Sequence, residues 1–81
     1  MSIRVLFFAS LAEITGAREK IVDPADVTDV ASVFNKFAQE FPSLENYRSS
    51  VLFALNSEFA RLGSPVRDGD EIAFFPPVSG G

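Results

Sequence analysis

The residues of this chain with the clearest chemical potential stand at its end, where Phe74-Phe75-Pro76-Pro77-Val78-Ser79 leads into Gly80-Gly81. A final Gly-Gly pair puts a carboxylate at the tip of an arm with no Cβ atoms. Such an arm can enter a narrow channel and take backbone angles that other residues avoid. Pro76 and Pro77 fix φ and limit how far the arm folds back. Extended, the six residues Pro76 to Gly81 reach roughly 20 Å from the body at about 3.3 Å per residue. The chemistry available to such an arm is that of its own carboxylate, activated inside another protein's site. Ser79 is the hydroxyl nearest the tip and has no base close in sequence, so it reads as a small polar spacer.

Other chemistries are excluded by composition. The chain has no cysteine and no histidine, which removes disulfides, Cys-based zinc sites and Cys or His catalysis. A net charge of −4 and a pI near 4.5 argue against nucleic acid and anionic membranes as partners. Asp68, Asp70 and Glu71 fit a tight turn and lack calcium-loop spacing. Glu13 and Glu19 read as solvated, and Arg61 and Arg67 as ordinary surface charges. Hydrophobic residues make up 47% of the 81, nine of them phenylalanine. That is a globular composition, and so many phenylalanines in one small domain are expected to leave some on a partner-facing surface. Met1-Ser2-Ile3-Arg4 runs directly into a strand-like segment with no signal-peptide pattern, and no apolar run has membrane-spanning length. The expected location is the cytoplasm.

The elements that must present the tail follow from periodicity. Ile3 to Ala9 is β-branched and aromatic and reads as a strand. Ser10-Leu11-Ala12-Glu13 fits a capping box, with Gly16 as the stop. Arg18 to Asp23 reads as a second strand with Ile21 inward, ended by Pro24. Thr28 offers an N-cap with Asp29 in the first turn. Val30, Val33, Phe34, Phe37, Ala38 and Phe41 then follow helical spacing up to Pro42. Ser43 to Ser50 reads as loop. Val51 to Leu55 is a third strand turning at Asn56-Ser57-Glu58, with Phe59 and Ala60 as a brief fourth. Arg67-Asp68-Gly69-Asp70 is a turn that feeds Glu71 to Phe75. One long helix covers only one face of a sheet. The expectation is therefore an α+β fold, a β-grasp or ubiquitin-like roll with a mixed sheet and its first and last strands parallel at the centre. Residues 1–75 form the domain and 76–81 an extended tail.

At this point the chain resembles a known family, the small subunits of molybdopterin synthase, or MoaD group of ubiquitin-like sulfur carriers. The resemblance runs from Ile3-Arg4-Val5-Leu6-Phe7-Phe8-Ala9 to the end. It is densest in Asp68-Gly69-Asp70-Glu71-Ile72-Ala73-Phe74-Phe75-Pro76-Pro77-Val78-Ser79-Gly80-Gly81. It implies that an ATP-using adenylyltransferase, similar to ubiquitin-activating enzymes, converts the Gly81 carboxylate to an acyl-adenylate, which a sulfur donor turns into a thiocarboxylate. The charged tail, Gly80 included, would then enter the large synthase subunit and give its sulfur to cyclic pyranopterin monophosphate. The implied assembly is a heterotetramer. The chain itself would be a non-catalytic carrier, with no bound cofactor or metal and with the catalytic groups on the large subunit.

The docking surface is expected on the sheet face away from the helix. With Ile3, Val5, Phe7, Ile72 and Phe74 turned to the helix, alternation sends Leu6, Phe8, Ala73 and Phe75 to the other side. Phe53 and Leu55 are expected to join them, and Pro76, Pro77, Val78 and Ser79 to line the partner's channel. Two further carrier readings stay open: a thiamin-type sulfur carrier, and a protein modifier joined through Gly81 to lysines. A β-grasp interaction module with an inert tail is a third alternative.

Overall fold

The computed structural model describes residues 1–77. Along the chain run β1 (Ile3–Phe7), α1 (Ser10–Thr15), β2 (Glu19–Val22), α2 (Val30–Glu40), β3 (Leu52–Leu55), β4 (Glu58–Phe59) and β5 (Glu71–Phe75). The five strands form one sheet in the order β2-β1-β5-β3-β4. β1 and β5 are parallel neighbours, with Val5 opposite Ile72 and Phe7 opposite Phe74, and the other pairs are antiparallel. The expected mixed β-grasp sheet and its central parallel pair are both present.

α2 forms because its apolar positions fall on one stripe. Val30, Val33, Phe34, Phe37 and Ala38 are buried, and Pro42 follows the C-cap Phe41. Its start differs from expectation by one residue. Asp29, not Thr28, is the N-cap: its carboxylate accepts from the Ser32 backbone at 2.8 Å, and Ser32 Oγ accepts from the Asp29 N–H at 3.0 Å. Asp29 has the extended backbone this requires (φ −147°, ψ 177°), so a reciprocal box closes that Thr28 cannot form with Ala31.

α1 departs in the same way. Ala9, not Ser10, occupies the N-cap at φ 52° and makes no side-chain capping bond. The strand reaches the helix through a turn in which the Leu11 N–H donates to Phe8 O at 3.1 Å. Gly16 ends the helix in the left-handed region (φ 74°), as its position suggested. The expected loop after Pro42 contains a 3-10 segment, Pro42–Tyr47, because Leu44 is drawn into the core.

The core lies between α2 and one face of the sheet. Phe74 is its centre, with ring centroids 5.7 Å from Phe34, 5.7 Å from Phe53 and 5.8 Å from Phe7. The pairs with Phe34 and Phe53 are edge-to-face and that with Phe7 is stacked; aromatic pairs of these kinds add about 0.5–1.5 kcal/mol each beyond burial. β2 corrects a further expectation. Its register sets Val22 opposite Ile3, and Arg4 opposite Ile21. Val22 is therefore buried, and Ile21, expected inward, is exposed on the opposite face. Lys20, level with Val5, points to the helix side and escapes burial by laying its ammonium over the Phe41 ring at 5.3 Å.

Candidate docking face and tail root

The sheet face away from α2 leaves Phe8, Leu52 and Phe59 exposed. Strand alternation delivers to it Arg4, Leu6 and the following Phe8 from the β1 side, and Glu71, Ala73 and Phe75 from β5. Phe8 and Phe75 stack with centroids 4.6 Å apart and planes at 12°. The Phe8 N–H donates to Phe74 O at 3.2 Å, so the ladder continues one residue past β1 and holds the two rings level. Leu6, Phe8 and Phe75 are placed as the sequence suggested, and Pro76 and Pro77 leave the sheet beside them. Val78, Ser79, Gly80 and Gly81 lie outside the described residues.

Phe53 and Leu55 require correction. β3 runs antiparallel to β5 with Phe53 opposite Phe74 and Leu55 opposite Ile72. Both side chains therefore face α2, and Phe53 is 9% exposed, edge-on to Phe74 at 5.7 Å. The physical reason lies in the volume of the alternate sets. Val51, Phe53 and Leu55 are the bulky set and fill the space beside the helix, whereas Leu52 and Ala54 are the smaller set. Leu52, level with Phe75, and Ala54, level with Ala73, take the open face instead.

Phe59 was not assigned to this face from the sequence. It is 83% exposed and stands opposite Ala54 across β3–β4. The signal that locates it is the turn length. A two-residue turn at Asn56-Ser57 pairs Leu55 with Glu58 and hence Ala54 with Phe59. Both turn residues have the positive φ this turn demands, 51° and 72°.

The result is a continuous apolar surface. Leu6, Phe8, Ala54, Phe59, Ala73 and Phe75 line one crevice of about 300 Å³. Phe8, Leu52, Phe59, Phe75 and Pro76 line a second of similar size that runs to the tail root. A larger depression around α1, lined by Ser10, Glu13 and Arg18, adjoins this surface: Ala9 lines both it and the second crevice, and Leu6, Phe8, Ala12 and Arg18 line a further one between them. Exposed aromatic and aliphatic side chains clustered in this way mark interaction surfaces. The far end of the face is ionic. Arg4 pairs with Glu71 at 2.9 Å and Glu19 at 3.2 Å. The hydrogen bond to Glu19, then the charges of Glu19 and Glu71, push the guanidinium pKa further up. Arg4 stays charged throughout, so the face is apolar beside the tail and ionic at the opposite end.

Of the acidic residues at the β5 turn, Asp70 is engaged within the protein. Its carboxylate accepts from the Arg67 N–H at 2.8 Å and from Asn56 Nδ2 at 3.0 Å. Gly69 supplies the positive φ (89°) of that turn. Among the described residues no group of three His, Cys, Asp or Glu side chains is arranged to hold a metal ion, and no helix is long and apolar enough to cross a membrane.

Comparison with known proteins places the chain in a family. Residues 5–81 match the ThiS family. The chain is 34% identical to the molybdopterin synthase sulfur carrier subunit of Chlamydomonas reinhardtii, with all of both chains covered. The crystal structure of Haloferax volcanii small archaeal modifier protein 1 superposes with a TM-score of 0.81 at 31% identity, covering 95% of this chain and 98% of that one. A chain from the complex of subunits 1 and 2 of the molybdopterin-converting factor of Helicobacter pylori superposes with a TM-score of 0.67 at 27% identity, with both chains fully covered.

Proposed function

Because the chain belongs to the ThiS family, we propose that it is the sulfur carrier subunit of a molybdopterin synthase, working through Gly80-Gly81. The observation that carries this reading is the apolar face of Phe8, Leu52, Phe59 and Phe75, which adjoins Pro76 at the root of the tail. A carrier needs a surface that seats it on a partner and an arm that enters the partner's site. Here the seat borders Pro76, where the arm begins. Full-length similarity to a carrier subunit of that name supports the assignment. The relative in a complex of subunits 1 and 2 supports a large-subunit partner.

The chemistry follows from the carboxylate. A free carboxylate is a poor electrophile because oxide is a poor leaving group. Attack of the Gly81 carboxylate on the α-phosphate of ATP, in an activating adenylyltransferase, releases pyrophosphate and makes AMP the leaving group. A sulfur donor then displaces AMP and leaves a thiocarboxylate. In the large subunit its sulfur would attack cyclic pyranopterin monophosphate, and hydrolysis of the resulting thioester would leave the sulfur on the pterin and return the Gly81 carboxylate; two carriers supply the two sulfurs of the dithiolene. No step needs a side chain of this protein, in keeping with a chain that has neither Cys nor His. Cationic groups and donors on the partners would stabilise the developing charge.

A second reading is favoured by the similarity to a protein named as a modifier: Gly81, once adenylated, could be joined to a lysine instead. Accurate mass of the intact protein from its native cell, with the C-terminal peptide sequenced, separates the two. Replacement of one Gly81 oxygen by sulfur is expected for the carrier. Met1 sulfoxide adds nearly the same mass, so the shift has to be placed at the tail. Gly81 found only in amide linkage to lysine would replace the carrier reading with the modifier reading.

A further inference from the structure

Asn56 belongs to none of the surfaces described so far, yet both polar groups of its solvent-exposed carboxamide bond to the start of β5 and the turn before it. Its backbone N–H donates to Glu71 O at 2.8 Å, as the next rung of the β3–β5 ladder. The return rung is not made by its backbone carbonyl. At φ 51° the main chain has already turned off toward β4. Asn56 Oδ1 takes that place and accepts from the Glu71 N–H at 2.9 Å. Nδ2 of the same group donates to Asp70 Oδ1 at 3.0 Å, while Asp70 Oδ2 accepts from the Arg67 N–H at 2.8 Å. One carboxamide thus ties the β3–β4 turn, the Arg67–Asp70 turn and the first residue of β5 together.

β4 needs such a tie. It is two residues long and pairs only with β3 at the edge of the sheet. It nevertheless carries Phe59, the most exposed phenylalanine named on the docking face. A short edge hairpin left to itself samples many orientations, and ordering it on association subtracts from affinity. Asparagine suits the position in two ways: it tolerates the left-handed backbone, and it offers both the acceptor for Glu71 and the donor for Asp70.

We propose that Asn56 is a positioning residue for partner binding, its carboxamide holding the β3–β4 hairpin so that Phe59 stands preorganised beside Phe8 and Phe75. The inference rests on the functional reading above. It assigns Asn56 no contact with the partner, since its bonds run to Asp70 and Glu71.

The test is a double-mutant cycle read by calorimetry against the molybdopterin synthase large subunit encoded in the same genome. Asn56→Gly keeps the positive φ accessible and removes only the side-chain tie. It is expected to weaken binding about tenfold in the wild-type background and less than about twofold in a Phe59→Ala background, because an unpresented ring and an absent ring are equivalent. In a Phe8→Ala background the full tenfold loss is expected to remain. Equal losses in all backgrounds would overturn the inference, since they would show Asn56 acting on stability or on the face as a whole. Should Asn56→Gly fail to fold by circular dichroism, Asp70→Ala, which removes the partner of Nδ2, enters the same cycle with the same two outcomes. If the wild-type chain itself does not bind the large subunit while the fold is intact, the functional reading fails. A Phe59-independent loss with normal wild-type binding sinks the positioning role alone.

Discussion

Phe74 and Phe75 are consecutive, yet they face opposite sides of the sheet. The Phe74 ring packs against Phe7, Phe34 and Phe53 and is 1% exposed, whereas the Phe75 ring stacks on Phe8 across the open face. Adjacent, chemically identical side chains therefore have separate surroundings, one in the core and one on the open face.

This separation is measurable by truncation. Phe74→Ala empties a core site, and such changes cost about 3–5 kcal/mol of stability. Phe75→Ala is expected to lower thermal stability little, while weakening large-subunit binding by about 2 kcal/mol, as buried aromatic anchors of interfaces do. Calorimetric Kd and thermal unfolding of both variants check the pair. Unchanged affinity for Phe75→Ala would remove the open face from the docking argument.

The same logic distinguishes the neighbours on β3. Phe53→Ala is expected to destabilise the fold by about 3 kcal/mol through the lost contact with Phe74. Leu52→Ala, on the open face, is expected to change urea-unfolding stability by less than about 1 kcal/mol and to weaken binding. A reversed outcome would mean that β3 is shifted in register by one residue.

At the start of α2, Asp29→Ala removes the acceptor for the Ser32 N–H and is expected to cost about 1 kcal/mol. Thr28→Ala is expected to cost a few tenths at most, because the Thr28 side chain takes no part in the box. Denaturant midpoints with unchanged m-values would show that only stability has moved.

The chain has no histidine and no cysteine, so no side chain of ordinary pKa titrates between about pH 6 and 8. Stability is expected to be flat across that window. Glu45 sets the sign on the acid side. The hydrogen bond from Arg48, at 2.7 Å to Oε2, lowers its folded pKa. The group is fully exposed, so its share is small. Whatever it contributes is present above the ordinary carboxylate range and is lost as pH falls through the lowered value. Thermal melts from pH 4 to 8 with Glu45→Gln as the control test this. A variant difference that grows as pH falls would contradict the sign.

Much of this protein was legible in one dimension because the relevant signals are local. The α2 stripe repeats with the helical period, Pro42 cannot continue the helix, and Gly16 and Gly69 stand where the backbone needs positive φ. The alternation in β1 and β5 separates Phe7 and Phe74 from Phe8 and Phe75, and one helix for one sheet leaves the second group uncovered. The Gly80-Gly81 end is likewise read from the sequence. What only the tertiary structure decided are relations between segments that pattern does not encode. Val22 rather than Ile21 is inward because β2 registers against β1. Phe53 is core because β3 antiparallel to β5 sets it against Phe74, and both faces of β3 are apolar enough to permit either choice. Phe59 joins the open face through a two-residue turn. Asn56 closes a ladder whose other half lies 15 residues away, because a carbonyl turned aside by the hairpin leaves a strand N–H that needs an acceptor.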